Sequence, residues 1–333
     1  MKKVLMLATG GTIASKDSGQ GLTPEITSEE ILGYVPSIGE LCQVDAVQLM
    51  NLDSTNITPR HWLQMARAIR DNYDRYDGFV LTHGTDTMAY TAAALSYLIQ
   101  DSPKPIVITG SQKSICLHDT DARMNLYNSF LYASDRDSHE VTLVFDGRVI
   151  LGTRARKERT KSYNAFSSVD FPEAAVIRDG KLIRYLAPTP YPYGAEPVFS
   201  GELEERVLLL TLIPGIGAQA LDKLADSYQA LILQSFGVGG LPGGGNGPLA
   251  RAMGEWLEAG KTIVMMTQVP YEGSDMSVYQ VGQQVKEKYH LLEAYNMTLE
   301  AATAKLMWAL GRSRDPAAVR ELFYRPVQHD MIC

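Results

Sequence analysis

Two threonines sit where buried strands give way to glycine-containing turns: Thr12 in VLMLATGGTIA, residues 4 to 14, and Thr85 in GFVLTHGTDTM, residues 78 to 88. A hydroxyl at such a point is displayed at the carboxyl rim of a sheet, where open α/β folds bind their ligands. A Gly-Gly-Thr turn alone is ordinary turn chemistry. Two such turns, with the polar loop NLDSTNI at residues 51 to 57 as a third candidate, point to an alcohol nucleophile in a rim active site. A hydroxyl is a poor nucleophile until a base takes its proton. Asp86, adjacent to Thr85, is one titratable neighbour, and Lys157 in TRARKERTK is another. Strand-end loops also offer backbone N–H groups to a developing oxyanion, each worth about 3 kcal/mol. A well-placed base contributes a factor of about 10² to 10⁴, so breaking an amide calls for both.

The elements that must position these residues follow from hydrophobic period. Short apolar runs at Val4 to Ala8, Phe79 to Thr82, Ile106 to Thr109 and Leu143 to Phe145 alternate with helix-periodic stretches. That alternation is the mark of βαβ units around a parallel sheet, so the fold class is α/β. Thr27 with Glu30 predicts a capping box, and Thr58 with Pro59 starts a longer helix whose buried face is Trp62, Met65, Ala66 and Ile69. Ala89 to Ile99 predicts a further helix. Four prolines within residues 187 to 197 predict an extended connector. This places one domain over 1–186, a linker over 187–205 and a smaller α/β domain over 206–333. In the latter, strands are expected at Val207 to Leu212, Leu231 to Leu233 and Thr262 to Met266. Helices are expected from Pro248 and after Thr298.

Composition removes other classes. With 333 residues, 45% of them hydrophobic, the chain has enough apolar material for two cores. A net charge of -7, with no Lys/Arg-rich run beyond the short RARKERTK stretch, argues against a nucleic-acid partner. The N-terminal apolar run is too short for a signal peptide and no stretch is long enough for a membrane span, so a cytoplasmic protein is expected. Cys42, Cys116 and Cys333 show no metal or disulfide spacing.

TGGTIA at 9 to 14, LTHGTDTMAYTAAAL at 81 to 95, the intervening DST, GTRARK, SFGVG at 235 to 239 and MTLEAATAKL at 297 to 306 together resemble the L-asparaginase family, in its bacterial cytoplasmic type I branch. The resemblance spans essentially the whole chain. It implies a larger N-terminal domain whose parallel sheet has flavodoxin-like winding, and a smaller C-terminal α/β domain. It implies Thr12 as the nucleophile that forms an acyl-enzyme, and Thr85, Asp86 and Lys157 as a second group. Asp53, Ser54 and Thr55 would hold the α-substituents of L-asparagine with Thr85 and Asp86, and a backbone group at Ser111 would meet the side-chain amide. No metal or organic cofactor is required, and a dimer or tetramer is implied, with Gln268 to Gln283 the expected contact. Lys157 has two open roles: a neutral base, which burial would promote and the nearby carboxylate oppose, or an ammonium that orients Thr85 and Asp86.

Two departures stand out. Leu22 occupies the place in the lid, GQGLTP at 19 to 24, where many members of the family carry a tyrosine that activates the nucleophile. Gln234 stands where some carry an effector-binding arginine, so allosteric activation is not expected. Glutaminase activity is a close alternative, since one methylene discriminates by only about 1 to 3 kcal/mol. An amidotransferase subunit of the same fold is disfavoured by the first strand starting at residue 4. A non-catalytic amino-acid sensor is disfavoured by the presence of Thr12, Thr85, Asp86 and Lys157.

The remaining features have plainer readings. GGLPGGGNGP lacks the Gly-Lys-Ser/Thr ending of a phosphate loop and reads as a loop before a helix. His83 reads as a loop-shaping hydrogen-bonding residue, RARKERTK as a solvated basic surface with only Lys157 drawn inward, and Cys116 as incidental.

Overall fold

The computed structural model describes residues 1–17, 22–185, 196–278, 286 and 291–332. The chain divides into two compact units, Met1–Gly201 and Glu202–Cys333. In the first, strands β1 (Lys3–Gly10), β2 (Gln43–Leu52), β3 (Gly78–Thr82), β4 (Pro105–Thr109) and β5 (Glu140–Phe145) lie in the order β2-β1-β3-β4-β5, all parallel. This is flavodoxin-like winding, and its strand order reverses between β1 and β3. Thr12 and Thr85 follow those two strands and so flank the switch point.

Both faces of the sheet are covered, which is why its strands read as continuous apolar runs. Val4, Met6, Val80, Val107 and Val144 face one core together with Ile31, Leu126 and Phe130. Their neighbours Leu5, Leu7, Phe79, Leu81, Ile106 and Ile108 are at most 1% exposed on the opposite face. Besides a four-residue helix at Ile38–Leu41, the described helices of this unit are α1 (Ser28–Gly33), α2 (Pro59–Asn72), α3 (Met88–Leu98) and α4 (Ala122–Ser134). The Thr27/Glu30 capping box opens α1, Pro59 opens α2, and α2 buries Trp62, Met65, Ala66 and Ile69 as expected.

Three strands extend the sheet beyond what the apolar runs indicate. β6 (Arg148–Leu151), then β9 (Ala175–Arg178) and β10 (Lys181–Ile183) add on antiparallel beside β5, making an eight-stranded mixed sheet. Between β6 and β9 the chain forms a hairpin of β7 (Ala155–Lys157) and β8 (Phe166–Ser168), in which Lys157 pairs with Phe166. The opposite edge, β2, is half exposed along its length, and its QVDAVQLMNL sequence carries too many polar residues to announce a strand.

The second unit is a four-stranded parallel sheet of β11 (Val207–Thr211), β12 (Ala230–Ser235), β13 (Thr262–Thr267) and β14 (Leu292–Glu293), in that order. Helices α5 (Pro248–Glu258), α6 (Leu299–Arg312) and α7 (Pro316–Tyr324) accompany it. Leu231, Leu233, Met253, Trp256 and Met265 make its core. Most of the proline-rich connector lies outside the described residues. Within the remainder, Val198–Phe199 pairs with Ile99–Gln100 and belongs to the first unit. No described helix is long and apolar enough to cross a membrane.

Candidate active site

Three loops meet at the switch point because glycine lets their backbones touch. Gly11 has φ +81°, and a Cβ there would lie 2.4 Å from both N and Cα of Gly84. A Cβ on Gly84 would in turn lie 2.6 Å from the Ser54 hydroxyl oxygen. Gly10, φ +101°, passes as close to Leu52, whose carbonyl accepts the Gly11 N–H at 3.0 Å. The turns after β1, β2 and β3 are therefore stacked backbone on backbone, bringing Thr12, Asp53 and Thr85 to one place. Thr12 begins a single 3-10 turn, Thr12–Ala14, and is partly exposed. Among the described residues none hydrogen-bonds its hydroxyl.

Thr85 is 6% exposed and fully engaged. Lys157 Nζ donates to Thr85 Oγ1 at 2.7 Å and to Asp86 Oδ1 at 2.6 Å. Thr85 donates its own proton to Gln112 Oε1 at 3.3 Å. Lys157 is mostly buried, with 15% of its side chain exposed, while Asp86 is 59% exposed, so the pair shows the ammonium's partner rather than the ammonium to solvent. Lys157 reaches this position because Gly152 lets the chain after β6 press on α3, where a Cβ would lie 2.8 Å from the Ala92 carbonyl. Asp86 also precedes the first turn of α3, whose positive end favours a carboxylate.

The cleft is lined by Gly11, Thr12, Ser15, Asp53, Ser54, Gly84 and Asp86 and holds ≈ 340 Å³ of space, including solvent at its mouth. That is the lower end of the range for small-ligand sites. Two carboxylates face it, suited to a small cation. Asp53 Oδ1 is aimed by Thr55, whose N–H and hydroxyl both donate to it at 2.9 Å. Thr55 thus sits behind Asp53. Ser111 is fully buried with its hydroxyl turned onto the Lys113 carbonyl, so its side chain does not line the cleft. Among the described residues no three His, Cys, Asp or Glu group as metal ligands.

Several neighbours are silent or misleading in the sequence. Gln112 touches Thr85, and Asp121, 8% exposed, accepts the backbone N–H groups of Gln112 and Lys113 at 2.9 to 3.1 Å. Burial pushes the Asp121 carboxyl up while those N–H groups pull it down, with a net rise. Both residues follow the end of β4, a third strand-end position that nothing in their types distinguishes. Arg154, expected on a solvated surface, is fully buried with its guanidinium over the Phe171 ring at 5.5 Å. The lid residues 18–21 lie outside the described residues. Leu22 pairs with Asp17 in a short hairpin, Ser15–Asp17 with Leu22–Pro24.

Residues 3–190 match the family described as Asparaginase, N-terminal, and residues 206–323 the Glutaminase/Asparaginase C-terminal domain. The chain is 36% identical to an L-asparaginase of Thermococcus kodakarensis, covering 98% of each. The structure of the thermostable L-asparaginase from that organism matches with a TM-score of 0.90 at 34% identity, covering 99% of both chains. L-asparaginase 1 of Escherichia coli strain K12 is 32% identical, covering 96% of this chain and 95% of that protein. A glutamyl-tRNA(Gln) amidotransferase subunit of Pyrococcus horikoshii is 33% identical, with 96% of this chain and 74% of the relative covered.

Proposed function

The chain belongs to the asparaginase family, and on that premise we propose that it hydrolyses L-asparagine to L-aspartate and ammonia through a covalent intermediate on Thr12. The observation that carries this reading is the Lys157 ammonium bridging Thr85 and Asp86 beside a cleft that Thr12 lines. Asp53 and Asp86 supply negative charge for the substrate's α-ammonium group. Thr12 Oγ attacks the side-chain amide carbon, its proton leaves with the departing ammonia, and water then attacks the ester to release aspartate and restore the hydroxyl. Lys157 acts as the donor to both Thr85 Oγ1 and Asp86 Oδ1. It holds Thr85 with a lone pair toward Nζ.

Self-association belongs to the same proposal. The part of Gln268–Gln283 that is described exposes Val269, Tyr271 and Val278 at 49%, 44% and 56%, an apolar stretch suited to a second copy. Residues 279–283 of that stretch lie outside the described residues.

Ammonia release from L-asparagine and L-glutamine, measured with Thr12→Ala beside the unaltered protein and with molar mass recorded, tests the reading. Removing the nucleophile is expected to cost at least about 10³-fold in kcat. Undiminished turnover by Thr12→Ala would remove the covalent route. Faster release from L-glutamine would move the substrate to the longer amide.

A further inference from the structure

Thr85 holds one proton, and its hydrogen-bond partners determine where that proton points. Lys157 Nζ donates to Thr85 Oγ1, so the hydroxyl must donate elsewhere. Gln112 Oε1, at 3.3 Å, takes it. The amide of Gln112 is not free to turn over, because its Nε2 donates to two backbone carbonyls, Ser162 at 3.1 Å and Arg159 at 3.4 Å. A flipped amide would set its oxygen against both carbonyls. Its backbone N–H is fixed in turn by the buried Asp121 carboxylate at 2.9 Å. Arg159 and Ser162 lie in the turn joining β7 to β8, the hairpin that carries Lys157. One side chain thus grips the hairpin with its nitrogen and the Thr85 proton with its oxygen.

We propose that Gln112 is a positioning residue for the reaction: it fixes the direction of the Thr85 hydroxyl, and so the lone pair that Lys157 engages, while tying the Lys157 hairpin to the loop after β4. This rests on the amidohydrolase reading and deepens it. Without the Gln112 acceptor, the Thr85 proton turns toward other acceptors and the lone pair that Lys157 engages is no longer held in one direction. The consequence falls on turnover rather than on substrate affinity, because Gln112 does not line the cleft.

Two variants test it by steady-state kinetics from pH ~5 to ~8. Gln112→Met keeps the volume and removes both polar contacts, and kcat is expected to fall at least about tenfold with KM changed less than about threefold. Its kcat profile should also shift along the pH axis, since the Lys157–Thr85–Asp86 hydrogen bonds no longer keep one arrangement. Gln112→Glu is the sharper probe. When protonated, its carboxylic acid donates to one carbonyl and accepts from Thr85; when ionised, it faces those carbonyls with no donor. Its deficit relative to the unaltered protein should therefore shrink as the pH falls toward the carboxyl range near ~4.3. If Gln112→Met turns over within about twofold of the unaltered protein, the role is refuted. A raised KM and lowered melting temperature with an unshifted kcat profile would reduce Gln112 to a tether and overturn the proposal equally. If the unaltered protein releases no ammonia from either amide, it is the reaction that fails, and the failure is visible in the control itself.

Discussion

His83 connects the floor of the site to the helix layer through a chain of hydrogen bonds whose direction is fixed. Trp62 Nε1 can only donate, and it donates to Thr91 Oγ1 at 2.9 Å. The single Thr91 proton then goes to His83 Nε2 at 2.9 Å, leaving Nδ1 to carry the imidazole proton to the Gly84 carbonyl at 2.7 Å. Gly84 is the residue against which Gly11 stacks, so a neutral imidazole holds the turn before Thr85 in place. Protonation would set an Nε2–H against the Thr91 hydroxyl proton in a fully buried position. Burial accordingly lowers the His83 pKa to about 4. The sign follows from the unfolded value near ~6.5. Above it both states are neutral and the stabilisation is complete. Below it the unfolded chain takes up a proton that the folded one refuses, so stability is lost as the pH falls toward 4. Full expression of that linkage is about 3 kcal/mol. In urea titrations His83→Asn should begin less stable at neutral pH and show a shallower acid limb, so that the two curves converge by pH ~4. Parallel curves would mean that the imidazole is not the group being titrated.

At the scale of elements, the site depends on how closely three turns can pack. Gly11→Ala places a methyl 2.4 Å from the Gly84 backbone at a residue with φ +81°, and backbone cannot swing aside as a side chain can. The turns bearing Thr12 and Thr85 must separate. Overpacking and strain together are expected to cost about 1 to 3 kcal/mol. A displacement near 1 Å lowers turnover by about 10²-fold. Gly33→Ala, at the end of α1 with no atom within 4 Å, is the matched control and should alter neither melting temperature nor kcat appreciably. Equal activity of the two variants would show that the close stacking does not matter. This stacking is partly legible in the sequence, because glycine beside a strand-end hydroxyl is a local signal. Lys157 is less legible: 72 residues separate it from Thr85, and before the family resemblance it is one basic candidate within TRARKERTK. Gln112 gives no signal, since a polar residue after Gly110 and Ser111 looks like any loop. Arg154 misleads because charge in sequence says nothing of the Phe171 ring that covers it. The edge strand β2 stays hidden because a half-exposed strand loses the apolar run that reveals a central one. Local chemistry and buried periodicity can be read; pairings across long sequence separations and the polar edges cannot.

Over the whole molecule, the two units have separate cores, and the second locks its C-terminal segment with a buried charge pair. Lys305 of α6 and Asp330 are both 0% exposed and lie 2.6 Å apart. Lys305 also donates to the Arg325 carbonyl at 2.7 Å, and Asp330 Oδ1 accepts the Val327 N–H at 3.1 Å. The pair therefore ties the residues following α7 back to α6. Such a pair adds little over a well-packed apolar substitute, but losing one member leaves a buried charge uncompensated at about 3 to 5 kcal/mol. The three tryptophans give a unit-specific readout: Trp62 lies in the first unit, Trp256 and Trp308 in the second. In a Trp62→Phe background, fluorescence reports residues 202–333 alone. Asp330→Ala should then shift the denaturation midpoint of that signal downward by an amount equivalent to about 3 to 5 kcal/mol, and Lys305→Met combined with Asp330→Leu should recover most of it. A loss under about 1 kcal/mol in the single variant would mean that the ammonium finds water on relaxation and that the clamp is not what holds the tail. Failure of the double variant to recover would instead give the Arg325 and Val327 backbone contacts the larger share, since the apolar pair replaces the charges but not those hydrogen bonds.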